Sequence, residues 1–407
     1  MGFFKQTIRD VPLDDQTVLM RADYNVPLAP GGAIADDFRI RASLPTIRAL
    51  QTRGCKVVIM SHLGRPEGRD VSLSLEQVAL RLGELLEQPV GFVDDCIGDK
   101  VVQAVKKTPK NRVLLLENLR YYPEEEADDM AFAKKIARAT KASYFVQDGF
   151  GVVHRAHAST HAITLCLPSV AGLLLEKEYM SITAAMRSPK RPLVAVLGGA
   201  KVSDKIKVIT ELIAVADRVV VSGAMANTFL AYKGLDMGKS KIEPDQQATL
   251  DDIYAAAAQK VGTDKVDEFL VLPTDAAVAT VMKDVPRREV RVSQLASDDI
   301  ALDVGQQTIE TVDTIVQGAG TVIWNGTLGV AELSHFAHGS ARLALLLATH
   351  PDITSIIGGG DTAEFVLSWD SRQGGSFSHV STGGGASLDL MAGEKLPGIE
   401  SLLDAPR

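Results

Sequence analysis

The chain has 407 residues, 46% of them apolar, and a formal net charge of −8. At roughly 150 residues per domain this length makes two or three domains with substantial cores. The acidic balance excludes a general nucleic-acid binder, so any basic cluster acts locally. Three widely spaced cysteines, Cys55, Cys96 and Cys166, suit a reducing cytosol better than disulfides or zinc. No apolar run reaches the ~18 residues of a membrane span and no charged-then-apolar leader opens the chain, so a cytoplasmic globular protein is expected.

In chain order, short apolar runs at Val18–Arg21, Lys56–Met60, Val90–Val93, Val113–Leu116 and Tyr144–Val146 are predicted strands. A second series follows at Leu193–Leu197, Arg218–Val221, Phe269–Leu272, Thr321–Trp324, Ser355–Ile357 and near His379–Ser381. Helical patterns such as Ser74–Leu86, Asp128–Thr140, Val202–Val215 and Ser340–Thr349 lie between them. This alternation predicts an α/β fold with parallel sheets covered on both faces. Gly172–Met186 reads as one helix, which Ser188-Pro189-Lys190-Arg191-Pro192 breaks, marking a domain boundary.

Open α/β sheets bind ligands beyond the C-terminal ends of their strands. In the first half those ends carry cations: Arg21-Ala22-Asp23-Tyr24-Asn25, Ser61-His62-Leu63-Gly64-Arg65, Glu117-Asn118-Leu119-Arg120 and His154-Arg155-Ala156-His157, with Arg39 after Asp36-Asp37. Arginine forks match carboxylate and phosphate oxygens, so this half is expected to take a small, multiply anionic ligand. A metal site at His154, His157 and His161, which could share a helix face, lacks a Cys or carboxylate cluster to complete it. Glu124-Glu125-Glu126 and Asp128-Asp129 read as a solvated helix start, and Asp94-Asp95 as a surface turn.

In the second half, Leu197-Gly198-Gly199-Ala200-Lys201-Val202-Ser203-Asp204-Lys205 runs from a strand through glycines toward a helix that places Lys201 and Lys205 on one face. This is a phosphate-binding layout but no Walker A loop, and the nearest match, Gly234 to Ser240, is one residue short and reads as a loop. Glycine turns recur at Gly358-Gly359-Gly360-Asp361-Thr362, Gly383-Gly384-Gly385 and after Trp324-Asn325-Gly326, a cradle for a polyphosphate. Asp361, with Glu364 three residues on, reads either as a helix N-cap or as a magnesium ligand beside phosphate.

The set RADYNVPL, SHLGRP, LLENLR, DGFGVVHRAHAS, LGGAKVSDKI, WNGTLGV-E, GGGDTAEF and STGGGASLDL, followed by Gly393-Glu394-Lys395-Leu396-Pro397-Gly398, resembles the phosphoglycerate kinase family. The motifs run in order from about residue 18 to 400, nearly the whole chain. The resemblance implies two Rossmann-like three-layer lobes with parallel sheets: residues 1–171 for phosphoglycerate, an interdomain helix at 172–188, and 189–390 for Mg-nucleotide. The tail 391–407 would pack back on the first lobe, and a hinge-bending, cytoplasmic monomer is expected, with no nucleic-acid or membrane partner. The implied reaction is 1,3-bisphosphoglycerate plus ADP to 3-phosphoglycerate plus ATP, with Mg²⁺ as cofactor. Substrate ligands would be Asp23, Asn25, Arg39, His62, Arg65, Arg120 and Arg155. Nucleotide ligands would be Gly199, Lys201, Lys205, Gly223, Asn325, Glu332, Gly358, Gly359, Gly360, Asp361 and Thr362, with Asp361 approaching the metal and Glu332 the ribose. Arg39, Lys201, Gly359 and Gly384 would be the catalytic residues, with Arg39 orienting the reacting carboxylate and Lys201 following the moving phosphoryl group.

Some positions depart from the family pattern: Ser222 and Ala224 around Gly223, Thr327 after Trp-Asn-Gly, Gln147 before Asp148, and Val152-Val153 before His154. Ser222, Ala224 and Thr327 bear on base preference and leave the reacting groups intact. Two rivals are a Rossmann dehydrogenase, whose Gly-x-Gly-x-x-Gly is missing after the first strand, and a catalytically silent nucleotide-binding scaffold. The scaffold would have no use for Lys201, Asp361 and Arg39 together.

Overall fold

The computed structural model describes residues 2–406, so Met1 and Arg407, at the outer ends of the expected 1–171 and 391–407 segments, lie outside it. The chain divides into two compact units: residues up to Met180 together with those from Lys395 onward, and Ser181–Glu394. The division falls inside one helix, Leu173–Arg187.

The first unit holds six parallel strands: β1 (Thr17–Arg21), β2 (Lys56–Met60), β3 (Gly91–Val93), β4 (Val113–Leu116), β5 (Tyr144–Gln147) and β6 (Ser169–Ala171), in spatial order β3-β4-β2-β1-β5-β6. Successive side chains point to opposite faces. Val18 and Met20 therefore join Val57 and Ile59 in one core layer, while Leu19, Val58, Met60 and Phe145 join the other. Both faces are buried, which explains why these strands read as unbroken apolar runs. Helices close the layers: Glu76–Leu86 buries Val78, Ala79, Leu82 and Leu86. In Met130–Thr140 the side chain of Asp129 caps the N-terminus by accepting from Phe132 N at 2.6 Å.

The second unit has a parallel sheet of β7 (Leu193–Leu197), β8 (Arg218–Val221), β9 (Leu270–Val271), β13 (Thr321–Asn325), β14 (Thr354–Gly358) and β15 (His379–Val380), ordered β15-β14-β13-β7-β8-β9. Beside it, β10 (Asp275–Ala279), β11 (Arg288–Arg291) and β12 (Ile300–Val304) form an antiparallel sheet ordered β11-β10-β12 that the sequence pattern does not predict. β10 is mostly alanine, and β11 is charged and largely exposed, so neither carries a strand signature; pairing and the packing of Ala276 and Val278 on Leu230 and Met237 select them. The α/β class with two parallel, Rossmann-like sheets is as expected.

In each parallel sheet the strand order reverses beside the first strand, at β1/β5 and at β7/β13, the place where such sheets open a ligand crevice. At β7/β13 the backbones after the two strands press together. A Cβ on Gly198 would collide with the Thr327 carbonyl oxygen and sit 2.7 Å from that of Gly326, and Gly326 itself takes φ +104° against Gly198.

One expected feature differs. The helix after Gly199 starts at Ile206, behind a short turn at Ser203–Lys205, and Lys201 precedes both. Glu243 takes the Val202 and Ser203 amides (2.6 and 3.1 Å), and the Lys205 ammonium reaches back to the Gly198 and Asn325 carbonyls (2.8 and 3.1 Å). These long-range partners displace the first helical turn, so Lys201 and Lys205 share no helix face.

Residues from Lys395 onward close over Lys5, which is 5% exposed and donates to the Glu400 and Leu402 carbonyls (2.7 and 3.0 Å) and to Asp404 (2.7 Å). Lys5→Met leaves those carbonyls unpaired and is expected to lower stability by about 1–3 kcal/mol in urea titration, with faster proteolytic trimming of the tail; an unchanged midpoint would show that the ammonium holds nothing there. Gly198→Ala is expected to cost about 3 kcal/mol or more, because backbone has to move rather than a rotamer; a variant as stable as the parent would mean that the β7/β13 contact is loose.

Candidate functional site

In the first unit, the turns after β1, β2 and β4 are tied together before any ligand is considered. Asn118, fully buried, accepts from the Leu63 and Arg120 amides (3.2 and 3.1 Å) and donates to the Leu63 and Leu73 carbonyls (2.7 and 2.9 Å). Asn25 accepts from Gly64 N at 2.8 Å, and Asp23 accepts from Asn25 N at 3.2 Å and pairs with the Arg39 guanidinium. Arg39 projects from the first turn of the helix Phe38–Thr52. Arg120 donates to the Gly64 carbonyl at 2.7 Å and pairs with Glu126 at 2.9 Å.

The field in this cluster is positive. Burial lowers the Arg120 pKa, Glu126 opposes the shift, and the nearby charges of Arg155 and Arg65 add to it. Burial, then Arg21, Arg120, Arg39 and His157, hold His62 well below the usual imidazole value. Arg65 and Arg155 are exposed and, among the described residues, pair with no carboxylate. The structure thus brings Asp23, Asn25, Arg39, His62, Arg65, Arg120 and Arg155 into one electrostatic cluster with surplus positive charge, suited to a small anion.

Three readings need correction. Arg21 is 1% exposed and spends its donors inside the protein, so it is no surface ligand. Glu125, expected in a solvated run, is 1% exposed and accepts from the Ser159 hydroxyl and amide at 2.5 and 3.0 Å. The three histidines share no helix: His157 lies buried 4.0 Å from Glu125, and His161 pairs with Asp128 at 2.6 Å. Only distant chain segments, folded together, supply these partners.

In the second unit the glycine turns after β7, β8, β13 and β14 meet. Gly223 N donates to Leu328 O (3.1 Å), Met225 N to Gly199 O (2.9 Å), and Gly326 N to the Thr362 hydroxyl (2.7 Å). Gly359 takes φ +90° with Asn325 3.3 Å from where its Cβ would stand. Asn325 is 1% exposed, and its Nδ2 has no hydrogen-bond partner among the described residues. An unfilled buried donor beside two glycines is what an anionic oxygen would satisfy. Burial pushes the Lys205 ammonium down to about 8, although Asp361 and Asp204 act against the shift.

A cavity of about 330 Å³ opens beside these turns and reaches the antiparallel sheet; Gly199, Gly223, Thr327, Glu332 and Asp361 line it. Its wall includes Asp303, whose carboxyl burial pushes up to about 7 while the Gly339 and Val304 amides (3.0 and 2.9 Å) hold it in place. Asp361 is exposed in the first turn of Gly360–Trp369 and makes no capping bond; Gly359 occupies the N-cap. The N-cap reading of Asp361 therefore falls, because the positive φ of the cap position belongs to glycine. Lys201 and Glu332 are also exposed, Gly358 and Gly360 flank Gly359, and Gly384 opens the helix Gly384–Met391 with free space around it. Glu243 and Asp303 carry no local motif that marks them in the sequence.

Comparison with known proteins gives one answer. The family model for phosphoglycerate kinase matches residues 8–394. The chain is 44% identical to the phosphoglycerate kinase of Moorella thermoacetica over 402 residues, covering 98% of this chain and 99% of that one. It is likewise 44% identical to that of Dictyoglomus turgidum over 398 residues, with 98% of each covered. Among solved structures, it is similar to phosphoglycerate kinase from Pyrococcus horikoshii, with TM-score 0.84, 32% identity and 98% of each chain covered. The silent-scaffold reading is not favoured by these likenesses. With a match that runs the length of both units, the chain belongs to the phosphoglycerate kinase family, kinases that transfer a phosphoryl group between 1,3-bisphosphoglycerate and ADP.

Proposed function

We propose that the arginine cluster of the first unit binds 3-phosphoglycerate or 1,3-bisphosphoglycerate and that the glycine turns of the second bind ATP or ADP. The observation that carries this reading is Asn325 Nδ2, a buried donor beside Gly358 and Gly359 that has no acceptor among the described residues. Gly199, Gly223, Glu332 and Thr362 would complete the nucleotide site.

The acceptor in the ATP-consuming direction is a carboxylate, ionised at neutral pH from a reference pKa of about 4, so no general base is required. Catalysis is then positioning and charge stabilisation. Arg39, steadied by Asp23, would orient the reacting carboxylate. Asn25, His62, Arg65, Arg120 and Arg155 would hold the rest of the molecule. Lys201, exposed and therefore free to swing, would accompany the moving phosphoryl group, while Lys205 stays with the nucleotide phosphates. Gly359 and Gly384 would leave room for transferred oxygens to meet backbone amides.

The residues also fit a magnesium ion that comes with the nucleotide. Among the described residues no three His, Cys, Asp or Glu side chains gather to hold a metal unaided, and a single exposed Asp361 leaves the other positions to phosphate oxygens and water, as Mg²⁺ prefers. Bound there, the ion would offset phosphate charge. We place the protein in the cytoplasm as a monomer: the three cysteines are free thiols, as a reducing compartment permits, and monomer follows the family resemblance.

In a coupled assay of 3-phosphoglycerate-dependent acyl-phosphate formation from Mg-ATP, Lys201→Ala is expected to cut turnover by ~10²-fold or more with a smaller effect on 3-phosphoglycerate binding; near-normal kcat would remove Lys201 from this role. Nucleotide affinity is expected to be flat below about pH 8 and to weaken above it by roughly tenfold per unit. The sign follows from the depressed pKa: the bound anion favours charged Lys205, and in the free protein that charge is lost as pH rises through about 8. Lys205→Arg should flatten the titration-calorimetry profile, and an unchanged slope in that variant would assign the pH effect elsewhere.

A further inference from the structure

Arg21 stands at the end of β1, yet its side chain is 1% exposed. Nε donates to the Ser159 hydroxyl at 2.8 Å, Nη1 donates to the Ala22 carbonyl and to the Ser61 hydroxyl at 3.3 Å, and Nη2 lies 3.1 Å from His62 Nδ1. A guanidinium has donors only and keeps its proton in proteins. The contact therefore has one polarity: Nη2 donates and His62 Nδ1 accepts. An imidazole that accepts at Nδ1 is neutral and carries its hydrogen on Nε2. We infer that Arg21 is a positioning residue that locks His62 as the neutral Nε2–H tautomer, presenting a fixed, uncharged donor to a substrate oxygen.

The lock is built in depth. Ser159 accepts from Arg21 and gives its own hydroxyl hydrogen to Glu125 at 2.5 Å, and Glu125 lies 4.0 Å from Arg21 Nη2. The charges that weigh most on His62 oppose its protonation: Arg21 on β1, Arg120 after β4 and Arg39 on the helix Phe38–Thr52, with His157 from the loop after β5 adding to them, while the neighbouring carboxylate Asp23 is paired with Arg39. Glu125, the carboxylate of this network, is engaged by Ser159, with Arg21 and His157 each 4.0 Å away. A protonated His62 would turn Nδ1 into a donor facing a donor. Among the described residues no protein group takes the Nε2 hydrogen, which leaves it for a ligand. That last step rests on His62 lying in the phosphoglycerate site; the tautomer does not.

The test is long-range ¹H–¹⁵N correlation of histidine-labelled full-length protein, with the His62 signals assigned by His62→Gln. The expected spectrum shows one neutral Nε2–H form from about pH 5.5 to 8, and Arg21→Met is expected to give mixed tautomers whose titration moves upward yet stays below the ordinary imidazole value of about 6.5, because burial, Arg120 and Arg39 remain. Arg21→Met should also raise KM for 3-phosphoglycerate by about tenfold, the worth of one well-placed hydrogen bond, and lower kcat by less. An Nδ1–H or readily protonated His62 in the unmodified protein overturns the lock, whether or not the variant folds. A correct tautomer with an unmoved KM in His62→Gln would instead overturn the substrate-site reading.

Discussion

At the end of β7 the chain passes so close to the end of β13 that neither Gly198 nor Gly326 can carry a side chain. This contact places two backbone turns edge to edge at the point where the strand order reverses, and the nucleotide-side features follow from it. The Lys205 ammonium spans both strand ends through the Gly198 and Asn325 carbonyls. Thr362, in the first turn of the helix after β14, receives the Gly326 amide. Asn325 is left with a donor that no group among the described residues fills. The phosphate cradle we propose here would rely on backbone approach rather than on a charged loop of its own, so it would need no Walker sequence.

The first unit solves the opposite problem. It gathers like charges, and like charges repel unless each is anchored to something else. Asp23 anchors Arg39, Glu126 and the Gly64 carbonyl anchor Arg120, and Ser159 with Glu125 anchors Arg21 from below. Among the described residues, Arg65 and Arg155 have no acidic partner and stand at the surface. A binding site for a multiply charged acid is then a place where some cations are spent on architecture and others are kept in reserve. Burial sorts them: Arg21 ends a strand as an anion ligand would, yet it belongs to the support.

Much of this was legible in the linear chain. The parallel strands showed as apolar runs because both of their faces are covered, and the glycine turns and strand-end arginines stood where α/β sheets bind ligands. The antiparallel sheet was not legible, since Asp275–Ala279 and Arg288–Arg291 carry no period-two apolar pattern of their own. Nor was the start of the helix after Lys205, because Glu243, about forty residues on, takes the amides that would otherwise begin it.

What the sequence by itself determined is therefore the inventory: the α/β grammar, the family, and the candidate residues proposed for the two anion sites with their order along the chain. These depend on local periodicity and on short motifs, which survive without knowledge of neighbours. Only the tertiary structure decided which charges are spent and which are available. Glu125 and Glu126 are adjacent in sequence, yet one is buried under Arg21 and the other pairs with Arg120 at the surface. Whether a titratable side chain meets water, a carbonyl or another charge is set by segments far away in the chain, and with it the protonation of His62 and the lowered pKa of Lys205.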